Sequence, residues 1–101
     1  MFTYLGMTYT SKGKYYDAYK QFRKAEDIDP TNCLNKFQKA TVLMKIGKNE
    51  VALKELEDLK QRMPKEAPIM TLMGNIYAKI GNKQKAHDCY TLAMDLDSKD
   101  T

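Results

Sequence analysis

The sequence repeats itself with a period of 34 residues, and this period constrains the fold more than any other feature. Seven columns of similar residues recur at that spacing, one made only of glycine and one only of alanine. The first members of the columns are Gly6, Tyr9, Gly13, Ala18, Phe22, Ala25 and Pro30. A fixed period of this length predicts one supersecondary unit per repeat, stacked on copies of itself.

Each repeat has the pattern of two amphipathic helices joined by a glycine turn. In the first repeat, Leu5 and Tyr9 lie one helical turn apart, and a second apolar stripe begins at Tyr15. Gly13 lies between them and can adopt the positive φ of a tight turn. Pro30 ends the second helix, because the residue before a proline avoids helical angles. The three repeats predict helices at 2–11, 15–28, 33–45, 49–62, 67–79 and 83–96.

Composition argues against catalysis and against metal, membrane and nucleic-acid binding. The 101 residues carry a net charge of +4, which is small and spread too evenly for a nucleic-acid surface. A local basic cluster is formed by Lys36, Lys39, Lys45 and Lys48. No apolar run approaches the ~20 residues of a membrane span. One histidine and two distant cysteines suit neither a zinc site nor a disulfide framework, so we expect no enzyme, metal or cofactor.

The residues that could bind a metal or react, and the charged run at 54–60, are interpreted as parts of the helical structure. We interpret His87 as a packing histidine, because its neighbours Asp88 and Cys89 point ~100° apart on a helix and cannot share a metal. Cys33 and Cys89 are interpreted as small buried hydrophobes in a reducing compartment. The charged run at 54–60 is interpreted as a solvated helix face.

The motif resembles the tetratricopeptide repeat (TPR) family. The family's eight characteristic positions correspond to Phe2, Leu5, Gly6, Tyr9, Ala18, Phe22, Ala25 and Pro30. The second repeat departs from the motif at Lys36 and Lys39, where the family has large apolar residues, and we expect Phe37 to pack instead. The resemblance implies an all-α fold of three TPR helix hairpins, stacked as a right-handed superhelical solenoid. The implied repeats are 1–32, 33–66 and 67–101.

The family resemblance also implies a binding surface. In TPR arrays the first helix of each hairpin lines a concave groove that binds an extended peptide or a partner helix. We therefore expect the partner-binding residues to be Phe37, Thr41, Lys45, Leu72, Asn75 and Lys79. The places that form a chaperone-tail clamp or an asparagine ladder in other arrays include Gln38 and Leu72 here, so neither pattern is present.

A narrower resemblance, strongest over 33–97, is to the subunit 3 family of the anaphase-promoting complex, a ubiquitin ligase of the cell division cycle. Residues 35–43, 52–61, 64–66 and 93–97 carry it. It implies a non-enzymatic scaffold in the nucleus and cytoplasm. Such a scaffold packs against other subunits and helps bind activator tails that end in Ile-Arg. The alternatives are a generic TPR adaptor for an unrelated peptide or partner helix, and a structural spacer that binds no tail.

We also expect the chain to be a piece of a longer array. It begins inside a first helix, and no further amphipathic helix follows to cover the apolar side of 83–96. Stacked hairpins need polar or covered outer faces. The isolated chain is therefore expected to self-associate through its ends or to be marginally stable.

Overall fold

The computed structural model describes residues 2–98, and the side chains of 4–97. Within that range the chain forms six α-helices and no strand, which confirms the all-α prediction. They are α1 (Phe2–Ser11), α2 (Tyr15–Ile28), α3 (Cys33–Lys45), α4 (Asn49–Arg62), α5 (Ala67–Lys79) and α6 (Lys83–Ser98). The outer limits of the predicted repeats, at residues 1 and 101, lie outside the described residues.

Five helices have their predicted bounds, and α6 continues two residues beyond its predicted end. Helices α2 and α4 each end two residues before a proline, Pro30 and Pro64. In the third repeat, Ser98 occupies the position that corresponds to Pro30 and Pro64. Because serine does not force the preceding residue away from helical angles, α6 extends to Ser98 itself.

The chain divides into two compact units, Met1–Glu55 and Leu56–Thr101. In the first unit α1 packs on α2, and α3 packs on both of them. In the second unit α5 packs on α6. Helix α4 belongs in part to each unit. Each unit thus contains a helix hairpin of the kind that the period predicts, while the predicted repeat limits at 32 and 66 stay a prediction.

The small residues of the period allow close approach between helices. In the first unit, a Cβ added to Gly6 would lie 2.5 Å from a ring carbon of Phe22, whose side chain is fully buried. In the second unit, a Cβ on Gly74 would lie 2.7 Å from a ring carbon of Tyr90. Only glycine lets these helix pairs approach so closely.

The turns within the hairpins are made by glycines in the left-handed region. Gly13, Gly47 and Gly81 have φ values of 76°, 92° and 86°, as their shared column predicts. Two helices begin at asparagine caps. The Oδ1 of Asn32 accepts a hydrogen bond from the backbone of Asn35, and Asn82 does the same for α6. These local signals fix where the helices start and stop.

Candidate functional site

The first candidate surface lies on α3 and consists of Phe37, Thr41 and Lys45, which we call the α3 surface. The three residues are four apart, so they lie along one face of the helix. Phe37 and Thr41 are half-buried, and Lys45 is exposed in the last turn. The Thr41 hydroxyl donates to the Phe37 carbonyl at 3.0 Å. The α3 surface therefore offers an aromatic ring and one solvated cation.

The second candidate surface lies on α5 and consists of Leu72, Asn75 and Lys79, which we call the α5 surface. Leu72 is only 6% exposed, so it packs in its unit and offers little area to a partner. The Oδ1 of Asn75 accepts a hydrogen bond from the Tyr90 hydroxyl at 2.6 Å, which fixes the amide. Among the described residues the Asn75 amide nitrogen has no partner, and Lys79 is exposed one turn later. An amide donor and a cation at this spacing suit a carboxylate.

The sequence interpretation missed a network of charges inside the first unit, formed by Glu26, Lys36, Lys39 and Glu55. Lys39 is 5% exposed, and its Nζ donates to Glu26 Oε2 at 2.5 Å. The same Nζ lies 3.1 Å from Glu55 Oε1, and the Lys36 Nζ lies 3.0 Å from Glu55 Oε2. We call these four residues the lysine–glutamate network.

The lysine–glutamate network corrects three expectations. Lys39 itself fills the buried position, whereas Phe37 is only half-buried, so Phe37 does not pack in its place. The basic cluster is smaller than predicted, because Lys36 and Lys39 are paired with carboxylates. The run at 54–60 is not simply a solvated face, since Glu55 is half-buried and bonded to both lysines. The sequence offered one signal for this network, namely two lysines at positions where the family has large apolar residues. A buried ammonium needs a nearby counter-charge, so such lysines indicate carboxylate partners.

The lysine–glutamate network makes stability depend on pH. Burial alone would raise the pKa of the Glu55 carboxyl, but hydrogen bonds from Lys36 and Lys39 and their positive charge lower it overall from 4.5. A carboxyl with a lowered pKa in the fold stabilises the chain above its ordinary pKa, and that contribution is lost as the pH falls through the folded value.

We therefore expect the free energy of unfolding to fall as the pH is lowered from neutral through 4.5 and below. Glu55→Gln should reduce this dependence, because the amide does not titrate. Urea unfolding of both proteins over that pH range is the measurement. Identical pH dependence in the two proteins would mean that the network does not lower the pKa of Glu55.

Two residues of α6 differ from their predicted environments. His87 is exposed rather than packed, and it lies beside Asp88, Thr91, Leu92 and Asp95 on an open face of the helix. Cys89, like Cys33, is a free and half-buried thiol rather than a fully buried one. Burial raises the pKa of the Cys89 thiol, which keeps it protonated.

Within residues 2–98, no three His, Cys, Asp or Glu side chains come close enough together to hold a metal ion. None of the described helices has the length and hydropathy that crossing a bilayer requires.

A family model for the tetratricopeptide repeat matches residues 4–32 and 67–100, which together make up more than half of the chain. The chain belongs to the tetratricopeptide repeat family. The segment at 33–66, which contains Lys36 and Lys39, lies outside both matched spans. Three of the four residues of the lysine–glutamate network, Lys36, Lys39 and Glu55, thus lie in the segment that the family model does not match, and Glu26 lies in the matched first span.

Curated relatives of this TPR chain include subunit 3 of the anaphase-promoting complex from two organisms, which confirms the predicted resemblance. Subunit 3 of Dictyostelium discoideum is 34% identical over 97% of this chain. Subunit 3 of Schizosaccharomyces pombe is 35% identical over 100% of it. The chain spans only 10% and 15% of the length of these two relatives.

Solved structures support the same fold. The structure named MamA MSR-1 C2 superposes with a TM-score of 0.89 and 23% identity, over 99% of this chain and 57% of that one. The second TPR of Spaghetti (RPAP3), bound to the HSP90 peptide SRMEEVD, gives a TM-score of 0.85 and 20% identity, over 94% and 88%. At these identities the two structures show that the fold is shared.

Proposed function

We propose that the chain is a protein-interaction scaffold whose α3 and α5 surfaces bind segments of partner proteins. The observation that carries this proposal is the similarity to subunit 3 of the anaphase-promoting complex over nearly the whole chain, in two organisms. Membership of the TPR family supports it, and the proposal assigns no catalytic step to the chain.

More narrowly, we propose that the chain serves an anaphase-promoting complex in the nucleus and cytoplasm. There it packs against other subunits and helps bind activator tails that end in Ile-Arg. The chemistry of the two surfaces supports this. On the α3 surface, the half-buried ring of Phe37 suits an apolar side chain such as isoleucine. On the α5 surface, taken by itself, the Asn75 amide with Lys79 suits a terminal carboxylate. Neither surface contains a carboxylate for the arginine, so we expect that contact to come from repeats outside this chain.

A peptide-binding measurement tests the proposal. A labelled peptide ending in Ile-Arg, with a free or an amidated C-terminus, is titrated with the chain, and fluorescence anisotropy gives the two affinities. We expect amidation to weaken binding about tenfold or more, because it removes the charge that Asn75 and Lys79 would bind. Equal affinities would favour a generic adaptor, and no binding of either peptide would favour a structural spacer.

Charge-reversal variants of lysines test where the carboxylate of the peptide binds. Lys79→Glu should weaken binding of the free-acid peptide about tenfold or more, because it places a carboxylate beside the tail's own carboxylate. Lys45→Glu tests in the same way whether a tail carboxylate binds at the α3 surface. Lys48→Glu and Lys83→Glu are matched controls, since they make the same change at exposed lysines outside the two surfaces. We expect the controls to bind like the unmodified chain. Equal effects of all four variants would indicate only long-range electrostatics.

A further inference from the structure

The second helix of each predicted repeat has one face that is exposed in all three repeats, which we call its outer face. On α2 this face is marked by residues that are four, three and four apart, namely Tyr16, Lys20, Arg23 and Asp27. The equivalent residues, 34 and 68 positions later, are exposed as well: Glu50, Lys54, Glu57 and Gln61 on α4, and Gln84, Asp88, Thr91 and Asp95 on α6. Helix α4 has helices before and after it in the chain. The exposure of the outer face is therefore a property of the repeat and not of a chain end.

The outer face of α2 differs from the other two in its charge. At the marked positions α2 has the cations Lys20 and Arg23, whereas α4 has one lysine against two glutamates and α6 has two aspartates and no cation. Lys24 is exposed beside Lys20 and Arg23, and we call these three residues the α2 basic surface. Two more exposed lysines precede the helix, so residues 12–24 contain one carboxylate, Asp17, against five cations: Lys12, Lys14, Lys20, Arg23 and Lys24.

Contacts within α2 hold the arginine of this surface in place. The Arg23 guanidinium lies over the Tyr19 ring, 5.9 Å from its centroid, and its Nη1 donates to the Tyr19 hydroxyl at 3.2 Å. This bond uses one N–H of the guanidinium, so the others can still donate to a carboxylate. An arginine that is already positioned loses less conformational freedom when it binds.

The cations of the α2 basic surface are also close to one another. Lys20 lies three residues before Arg23 and four before Lys24, and like charges at these helical spacings repel. Among the residues whose side chains the structure describes, no carboxylate pairs with the Lys20 ammonium. An anionic partner would relieve this repulsion, so the charge pattern favours binding of one.

We propose that the α2 basic surface binds an acidic segment of a partner protein. Asp17 and Asp27 lie at the two ends of the surface and are exposed. A nucleic acid has a phosphate at every step and would meet these carboxylates, whereas a short acidic peptide can place its own carboxylates between them. The proposal goes beyond the proposed function, because the surface shares no residue with the α3 or the α5 surface.

Fluorescence anisotropy with the 101-residue chain tests the proposal. The probe is a labelled peptide of alternating aspartate and glutamate, and the neutral control is a peptide of the same length made of asparagine and glutamine. We expect the acidic peptide to bind at least tenfold more tightly than the neutral one, with an affinity that falls as salt is added. Unlabelled peptide ending in Ile-Arg should not displace it, because that peptide is proposed to bind elsewhere.

Variants of the chain locate the contact. Lys20→Glu should weaken binding of the acidic peptide about tenfold, and Arg23→Gln about threefold or more. Lys54→Glu is the matched control, because it makes the same change at an exposed lysine in the same column, 34 residues later. We expect Lys54→Glu to bind like the unmodified chain. An unchanged far-UV circular-dichroism spectrum of each variant separates loss of the surface from loss of the fold.

Four results would overturn the proposal. The acidic peptide could bind no better than the neutral one, or the Ile-Arg peptide could displace it. Equal weakening by Lys20→Glu and Lys54→Glu would mean that only net charge matters. Tighter binding of duplex DNA or of phosphatidylserine vesicles than of the acidic peptide, weakened by Lys20→Glu, would assign the surface to a different class of partner.

Discussion

Replacing Lys39 with alanine should lower the free energy of unfolding by about 3 kcal/mol, the lower end of the range for breaking a buried ion pair. The Lys39 ammonium lies between the carboxylates of Glu26 and Glu55, and its side chain is only 6% exposed. Without it, two partly buried negative charges lose their shared partner. The lower end of the range applies because both carboxylates keep some contact with water. Urea unfolding of the variant and the unmodified chain measures the difference.

Lys45→Ala is the matched control, because Lys45 lies on the same helix, is exposed and belongs to the last turn. We expect its effect to stay within ~0.5 kcal/mol, as for most surface substitutions. A double-mutant cycle between Lys39→Ala and Glu55→Ala should give a coupling energy of about 1 kcal/mol or more. Equal losses in Lys39→Ala and Lys45→Ala would show that the network does not stabilise the first unit.

Replacing Gly6 with alanine should destabilise the chain by up to about 2 kcal/mol, because overpacking costs about 1–3 kcal/mol and alanine recovers ~1 kcal/mol in helix propensity. The added methyl would lie 2.5 Å from the ring of Phe22. That ring is fully buried and cannot turn away into solvent. The same change at Gly74 should cost less, because Tyr90 is only half-buried and its ring can shift. Thermal unfolding of the two variants compares the costs.

A compensating change is available from the chain's own second repeat. There the two columns hold Ala40 and Leu56, whereas the first repeat has Gly6 and Phe22. We therefore expect Phe22→Leu to recover much of the stability that Gly6→Ala loses, although Phe22→Leu alone is destabilising. Additive losses in the double variant would mean that the methyl and the ring do not compete for the same space.

Much of the fold could be predicted from the sequence because its determinants are local and repeated. The glycine column fixes the turns through backbone conformation alone, and the proline column fixes where α2 and α4 end. The same reasoning explains the longer α6, since Ser98 removes the stop signal. These signals need only neighbouring residues, so one sequence is enough to interpret them.

The charges and the candidate surfaces were harder to predict because they depend on packing between helices. Glu26 and Lys39 are 13 residues apart, and only the packing of α3 on α2 brings them together. The Tyr90 hydroxyl donates a hydrogen bond to Asn75 across the α5–α6 hairpin. The repeat pattern shows only that a large residue stands at position 90, so it does not predict this hydrogen bond. His87 is exposed because the face of α6 on which it lies is open in this chain. Helical spacing shows which residues share a face, but not what covers that face.

The proposed function requires that partner segments bind to the first helices of the hairpins. NMR chemical-shift mapping tests it most directly, with the isotope-labelled chain titrated with an unlabelled peptide ending in Ile-Arg. We expect the shifted amides to concentrate around Phe37–Lys45 on α3 and Leu72–Lys79 on α5, with little change on α2 and α6. Shifts confined to α2 and α6, with α3 and α5 unchanged, would contradict it.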